Sequence, residues 1–243
     1  IRLSLVGSEM CIRDSIIDSA RSYAMHLAIE GELLSHERYL DCLAGISTQL
    51  LEAENPWDEL PQIISWLAQT TNVSRCYYFD CVQTTDGDYI CSQRSEAVQS
   101  GTRPMLSDPA YQSLNMTQAG YQRWMRVLAG GKELQGNVSA LPPQEQRLLI
   151  GRGAKWLLVL PVIVRGQLAG FIGFDENNTD SRLGPSEVAL LRSVANTLSA
   201  ALERVIAMQE LQGALMQLEN ILQYSTGYAI IATDAELRIL RMN

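Results

Sequence analysis

Apolar and small residues between Ile16 and about Glu54 recur every three or four positions: Ala20, Ala24, Leu27, Gly31 and Leu34, then Leu40, Leu43, Ile46 and Leu50. No proline interrupts the run, so the spacing predicts a helix longer than most in globular proteins. "ENPWDELPQIISWLAQTTN" restarts a helix after Pro56, with Ile63, Ile64 and Leu67 on its apolar side. The period then changes. "VSRCYYFDCV" is rich in β-branched and aromatic residues, and "DYICSQRS" follows an Asp-Gly turn signal, so the two predict a β-hairpin. A two-residue turn at Asp86-Gly87 would set Cys81 opposite Ser92 and Cys91 opposite Val82, with the thiols on opposite sheet faces. No disulfide between them is expected.

Residues 97–118 carry Gly101, Pro104 and Pro109 and read as loop. "QAGYQRWMRVLAGG" predicts a short helix stopped by two glycines, "ELQGNV" a short strand, and "PPQEQRLLIGRG" a helix with proline at its start. "KWLLVLPVIV" and "QLAGFIGFDE", joined by Arg-Gly, predict a second hairpin whose first arm, apolar on both faces, is covered on both sides. The resulting class is α+β, a central antiparallel sheet with helices around it. A last helix follows, in which Val194, Leu198, Ala201, Val205 and Met208 alternate steps of three and four, the spacing of a two-helix seam. The series then resumes at Leu211, Leu215, Leu218 and Leu222, one three-residue step out of phase, which marks a local overwinding near Met208 to Gly213. Parallel pairing of two chains is expected over about 188–223.

"VSRCYYFD", "YQRW" before the double glycine, "LPPQEQRLL" and "LLVLPVIVRGQLAGFIGFDE" with "LGPSEVALLRSVANTLSAALER" come in the order in which they resemble a GAF domain of bacterial sensor proteins. The resemblance covers about Trp57 to Arg204. It implies a GAF domain over 55–204, a signalling helix over 16–54 before it and a coiled-coil linker over 205–223 after it. "LENILQYSTGYAIIATDAELRILRMN" resembles the opening of a PAS domain, assigned to 224–243. "SLVGSEMCIRDS", within residues 1–15, resembles a translated sequencing adapter, which places the first native residue near Ile16.

Composition narrows the function. The chain has 243 residues, 47% apolar and 19% charged, with a net charge of −8 and a pI near 4.8, which argues against a nucleic-acid surface. Its longest apolar run, Trp156 to Val164, is far short of the roughly 20 residues that cross a bilayer. Cys11, Cys42, Cys76, Cys81 and Cys91 show neither zinc nor redox-motif spacing and read as reduced thiols of a cytoplasmic protein, whose parent could still be membrane-anchored. No metal site or catalytic grouping is assembled. His36 in "LLSHERYLDCL" departs from the kinase phospho-acceptor pattern, and His26 is read like it as a polar helix position. "FIGFDE" sits in the wrong place for the cyclic-nucleotide motif of GAF domains, and no cysteine of the domain has the neighbouring histidine common in bilin-binding ones.

The resemblance implies a cleft on one side of the sheet. Tyr78, Tyr121 and Trp124 are its candidate ligand contacts, with Ser92 and Asp175 supplying polar groups and Ala97 standing where the family often has an aromatic. No cofactor is expected, and any small-molecule ligand is unidentified. The function implied is a sensory and dimerisation GAF-PAS module of a bacterial signal transducer, the input of a sensor histidine kinase. Two alternatives stand: the input of a diguanylate cyclase or phosphodiesterase, and a ligand-free structural dimer spacer.

Overall fold

The computed structural model describes the backbone over residues 2–178, 183–224, 231–233 and 238–242, and side chains over 19–178, 183–220 and 238, except residues 20, 28, 32 and 35. Helix α1 (Arg2–Glu52) opens the chain, and helix α2 (Pro56–Thr71) follows. Asn55 caps α2 by accepting from the Trp57 N–H, Pro56 needs no partner at the first helical position, and Asn72 in the left-handed region (φ 53°) closes it. Strands β1 (Arg75–Gln83), β2 (Tyr89–Val98) and β3 (Leu114–Asn115), helix α3 (Gln122–Ala129), strand β4 (Leu134–Asn137) and helix α4 (Pro143–Gly151) come next. Strands β5 (Trp156–Val164) and β6 (Gln167–Glu176) and helix α5 (Pro185–Tyr224) complete the main body. The stretch expected to be plain loop therefore contains β3 and a 3-10 turn at Pro109–Tyr111.

Six strands form one antiparallel sheet in the order β3-β2-β1-β6-β5-β4. Because side chains alternate along each strand, the sheet carries two cores. One face packs Cys76, Tyr78, Leu158, Leu160, Ile172 and Phe174 against α1, α2 and α5. The other packs Tyr77, Phe79, Leu157, Val159 and Phe171 against α3, α4 and the β2–α3 connection. Strand β5 is buried on both faces from Trp156 to Leu160, as its unbroken apolar run requires.

The two hairpins turn differently. Val164 pairs with Gln167 across Arg165-Gly166, both at positive φ (52° and 75°), a two-residue turn that follows the strand twist. In the first hairpin Thr84 bonds Asp88 across a three-residue loop ending at Gly87 (φ 88°). That extra loop residue shifts the register by one and sets Cys81 directly opposite Cys91, with Cα atoms 4.2 Å apart. They are joined as a disulfide, which corrects the expectation that the pair stays apart. Cys42 and Cys76 are free.

Helices α1 and α5 run side by side in the same direction. Near the start of α5 Tyr39 bonds Glu187, and further along the Arg204 guanidinium donates to the carbonyls of Leu50 (2.7 Å) and Leu51 (2.9 Å), which the end of α1 leaves unpaired. Val188, Leu191, Val194, Leu198 and Leu202 are buried in the chain's own core. The seam expected from 188 is thus occupied by the sheet up to about Leu202. Beyond it Met208, Leu211, Leu215, Met216 and Leu218 are exposed, as are Tyr23, Met25, Leu27, Ile29, Leu33 and Leu34 on α1. Strands β7 (Ile231–Thr233) and β8 (Ile239–Met242) form a separate antiparallel pair within the segment that resembles a PAS opening. The side chains of the adapter-like segment, residues 1–15, lie outside the described residues, and the α1 backbone runs through 2–15 as helix.

Candidate functional site

The cleft lies between the sheet and helices α3 and α4. Its floor is aromatic: Phe79 of β1 stacks on Phe171 of β6 with ring centroids 5.0 Å apart, and Tyr77 meets Phe79 edge-on at 5.7 Å. Two glycines of "LAGFIGF" make room for the tyrosines of β1. A Cβ at Gly173 would collide with the Tyr77 ring on this face, and one at Gly170 with the Phe79 carbonyl oxygen and the Tyr78 hydroxyl on the other. Tyr111, Tyr121 and Trp124 close the cleft from above, the last two in edge contact at 5.0 Å.

A buried polar network anchors the rim. Arg152 follows α4, and its guanidinium folds under to lie 4.5 Å over the Tyr77 ring. Its Nε lies 2.8 Å from Asp175 Oδ2, and its Nη2 donates to Asp175 Oδ1 at 3.1 Å and to the Tyr77 hydroxyl at 2.6 Å. The Tyr77 hydroxyl in turn donates to Asp175 Oδ1 at 3.1 Å. Arg75 reaches the same carboxylate at 3.9 Å and pairs with Glu96, whose other oxygen accepts the N–H groups of Met105 and Leu106. Burial opposes the Arg152 charge, but Asp175, Tyr77 and Tyr111 outweigh it and hold the guanidinium ionised. Burial lifts the Asp175 carboxyl above the usual carboxylate range against the pull of Arg152 and Arg75, and it pushes the Tyr77 phenol up strongly. A second buried carboxylate, Glu145 of α4, accepts from Trp124 Nε1 (2.8 Å) and bidentately from Arg123, while the Tyr121 hydroxyl donates to its carbonyl. Burial raises Tyr121 to about 12.

Of the five residues chosen from sequence, Tyr121 and Trp124 line the cleft, and Asp175 stands behind it as the partner of Arg152. Tyr78 does not: it points to the opposite face, in the core under α2, 5.9 Å from the Trp57 ring. Tyr77 holds the place assigned to it, because adjacent strand residues face opposite ways and a tyrosine pair leaves the choice open. Ser92 is also outside the cleft, its hydroxyl accepting from the Ser113 N–H at the β3 edge. Tyr77, Phe79, Tyr111, Arg152 and Phe171 were not picked out from sequence. Arg152, before Gly153 at a helix end, has the sequence signature of a solvated terminal cation, and only the fold turns it inward. The space left among these side chains is ≈ 30 Å³, room for about one water molecule. Across the strand from Phe79, the buried Gln93 amide has no hydrogen-bond partner among the described residues.

A curled six-stranded antiparallel sheet with helices on both faces and an aromatic cleft beneath two short helices defines a sensory-domain architecture, and the model of the GAF domain family matches residues 58–202. The chain belongs to the GAF domain family. Over 189 residues it is 28% identical to the methanogenesis regulatory histidine kinase FilI of Methanothrix harundinacea, covering 78% of this chain and 21% of that one. The chain thus spans about a fifth of that relative. The blue-light absorbing form of the Thermosynechococcus elongatus PixJ GAF domain superposes with a TM-score of 0.57 at 14% identity, covering 70% of this chain and 96% of its own. The phycoerythrobilin-bound GAF domain of a cyanobacterial phytochrome gives 0.57 at 12% identity, covering 70% and 97%. The chromophore-binding domain of the R. palustris bacteriophytochrome RpBphP3 gives 0.58 at 8%, covering 71% and 63%. At such identities the likeness is one of fold. No described helix is long and apolar enough to cross a membrane.

Proposed function

We propose that this chain is the input region of a sensor histidine kinase, in which the GAF domain, held between α1 and α5, passes its state down α5 into a following PAS domain. The observation that carries this reading is the alignment with a regulatory histidine kinase. Its 189 residues exceed the 58–202 stretch of the family model, so the likeness takes in flanking sequence as well as the domain. The effector is tested by the coding sequence after Asn243. A phospho-acceptor helix followed by an ATP-binding domain supports the reading, and a Gly-Gly-Asp/Glu-Glu-Phe motif refutes it in favour of the diguanylate cyclase alternative.

The two chains of the functional unit pair in parallel along 205–223, where Met208, Leu211, Leu215, Met216 and Leu218 are exposed apolar positions among the described residues. Single cysteines at Leu215 and Leu218 cross-link under mild oxidation in this arrangement, and one at Arg204, engaged with the end of α1, does not. A monomer without cross-links at either position ends the pairing. The small cleft volume favours a second reading within the first: this GAF domain transmits through its packing, with no organic ligand on the aromatic face. Native mass spectrometry of the purified chain tests it, and a small molecule retained at one per chain rules it out.

A further inference from the structure

The β1–β6 ladder ends at Asp80 and Gly170, while the two hairpins it joins run on to their own tips, at Gln83–Tyr89 and Val164–Gln167. Past Asp80 the tips diverge and flank a groove lined by Cys81, Tyr89, Arg165, Leu168 and, from α5, Ile206. The disulfide to Cys91 is the covalent tie that holds the β1–β2 tip together beside this groove. On the opposite tip Arg165 occupies the left-handed region (φ 52°), where Asn or Gly is the ordinary choice. Its backbone N–H donates to Glu203 at 2.5 Å, and its guanidinium grips Glu210 through two bonds of 2.6 and 2.7 Å. Both grips fall on α5 where it leaves the core, and both Arg165 and Glu210 are exposed, so the clasp is individually weak and able to open.

We infer that Cys81 and Cys91 form a reversible thiol–disulfide switch that sets the stiffness of the joint between the two hairpin tips, and that α5 reads this joint through Arg165. Cys81 borders the groove and is 6% exposed against 0% for Cys91, so an incoming thiolate attacks the Cys81 sulfur. The sulfur–sulfur bond breaks, Cys91 leaves as a thiolate and takes a proton, and a mixed disulfide forms on Cys81. The second thiol of a small dithiol then attacks that mixed disulfide and releases the Cys81 thiolate, which is protonated. Two electrons and two protons pass from the dithiol, which leaves as its own disulfide, and exchange with an oxidised disulfide reverses the step. The free thiols Cys42 and Cys76 are no substitute partners, since both belong to the other face of the sheet. In a reducing compartment a pair of this kind cycles with conditions, which is the usual role of intracellular disulfides.

The readout through α5 rests on the proposal that α5 is the output helix; the switch itself does not. The test uses the whole chain, oxidised or treated with dithiothreitol under native conditions, with alkylated thiols counted by mass spectrometry and amide hydrogen exchange followed by segment. Two further thiols are expected per folded chain, disappearing on reoxidation, together with exchange roughly fivefold or more faster at 163–166 and 203–212 in the reduced state. The Cys81→Ser variant should match the reduced state in either buffer. In the Glu203→Ala, Glu210→Ala double variant, which opens both grips, the α5 difference between the two states should collapse while the thiol count still switches. Thiols that appear only on unfolding overturn the switch. An α5 exchange rate indifferent to redox state, or a redox difference that survives the Glu203→Ala, Glu210→Ala double variant, overturns the coupling alone. All readouts come from this chain without an effector, so they stand or fall separately from the kinase assignment.

Discussion

Replacing Gly173 by alanine tests whether the cleft floor is built as described. Tyr77 lies directly opposite Gly173 in the β1–β6 ladder, and the added methyl would occupy the space of its ring. The ring cannot simply turn aside, because its hydroxyl is fixed between Asp175 and Arg152 and its edge rests on Phe79. Overpacking of this kind costs about 1–3 kcal/mol. Displacing the hydroxyl from its charged partners adds about 1.5–3 kcal/mol. The lower backbone entropy of the unfolded alanine chain returns at most about 1 kcal/mol. The expected loss is therefore about 1.5–6 kcal/mol, which for a domain of this size lowers the melting temperature by about 10 °C at mid-range. Urea denaturation followed by tryptophan fluorescence measures it. In the Tyr77→Val background the ring is gone, and Gly173→Ala should become nearly neutral, giving a coupling of at least about 1 kcal/mol between the sites. A cost under about 1 kcal/mol for the single change, or the same cost in both backgrounds, refutes the packing.

Three further outcomes follow from the same structure. Arg204→Met removes the donors from the Leu50 and Leu51 carbonyls and should cost about 1–2 kcal/mol in thermal unfolding, whereas a neutral result would mean that the end of α1 is not held by α5. Cys81→Ala removes a cross-link closing a short loop, with ten residues of sequence separation, and should lower stability by about 2–3 kcal/mol relative to the oxidised chain, with no difference from the reduced one. Burial holds the phenol of Tyr121 up to about 12 and raises those of Tyr39, Tyr77, Tyr78 and Tyr111, so these rings stay neutral in the fold after the unfolded chain ionises near pH 10. Their contribution to stability is complete below pH 10 and falls as pH rises from there toward the folded values. Absorbance at 295 nm between pH 9 and 11 should therefore show fewer than the chain's nine tyrosines titrating before unfolding, and full titration of the native state would contradict the burial.

Periodicity alone was enough for the long helix before residue 54, the helix after Pro56, both hairpins and the doubly buried strand Trp156–Val164, because each depends on local spacing and on turn residues within a few positions. The order of those elements led to the antiparallel α+β sheet for the same reason. The Arg-Gly turn was legible since its geometry needs just two residues at positive φ, but "TTDGDY" was not, since a loop one residue longer uses the same Asp-Gly signal. That single residue decided whether Cys81 meets Cys91. Half of the cleft was legible in the same way: Tyr121 and Trp124 sit on a short helix with one apolar side, which had to face the sheet. The choice between Tyr77 and Tyr78 needed to know which helices cover which face of β1, a long-range fact absent from the strand's own alternation. Arg152, Asp175 and Tyr77 lie 75 and 23 residues apart along the chain, so their union is a product of tertiary packing, as is the diversion of Leu198 from an intermolecular seam to the chain's own core. Sequence fixes which surfaces are apolar, and only the assembled layers decide which of them meet, because burial is a property of pairs of surfaces brought together by the whole fold.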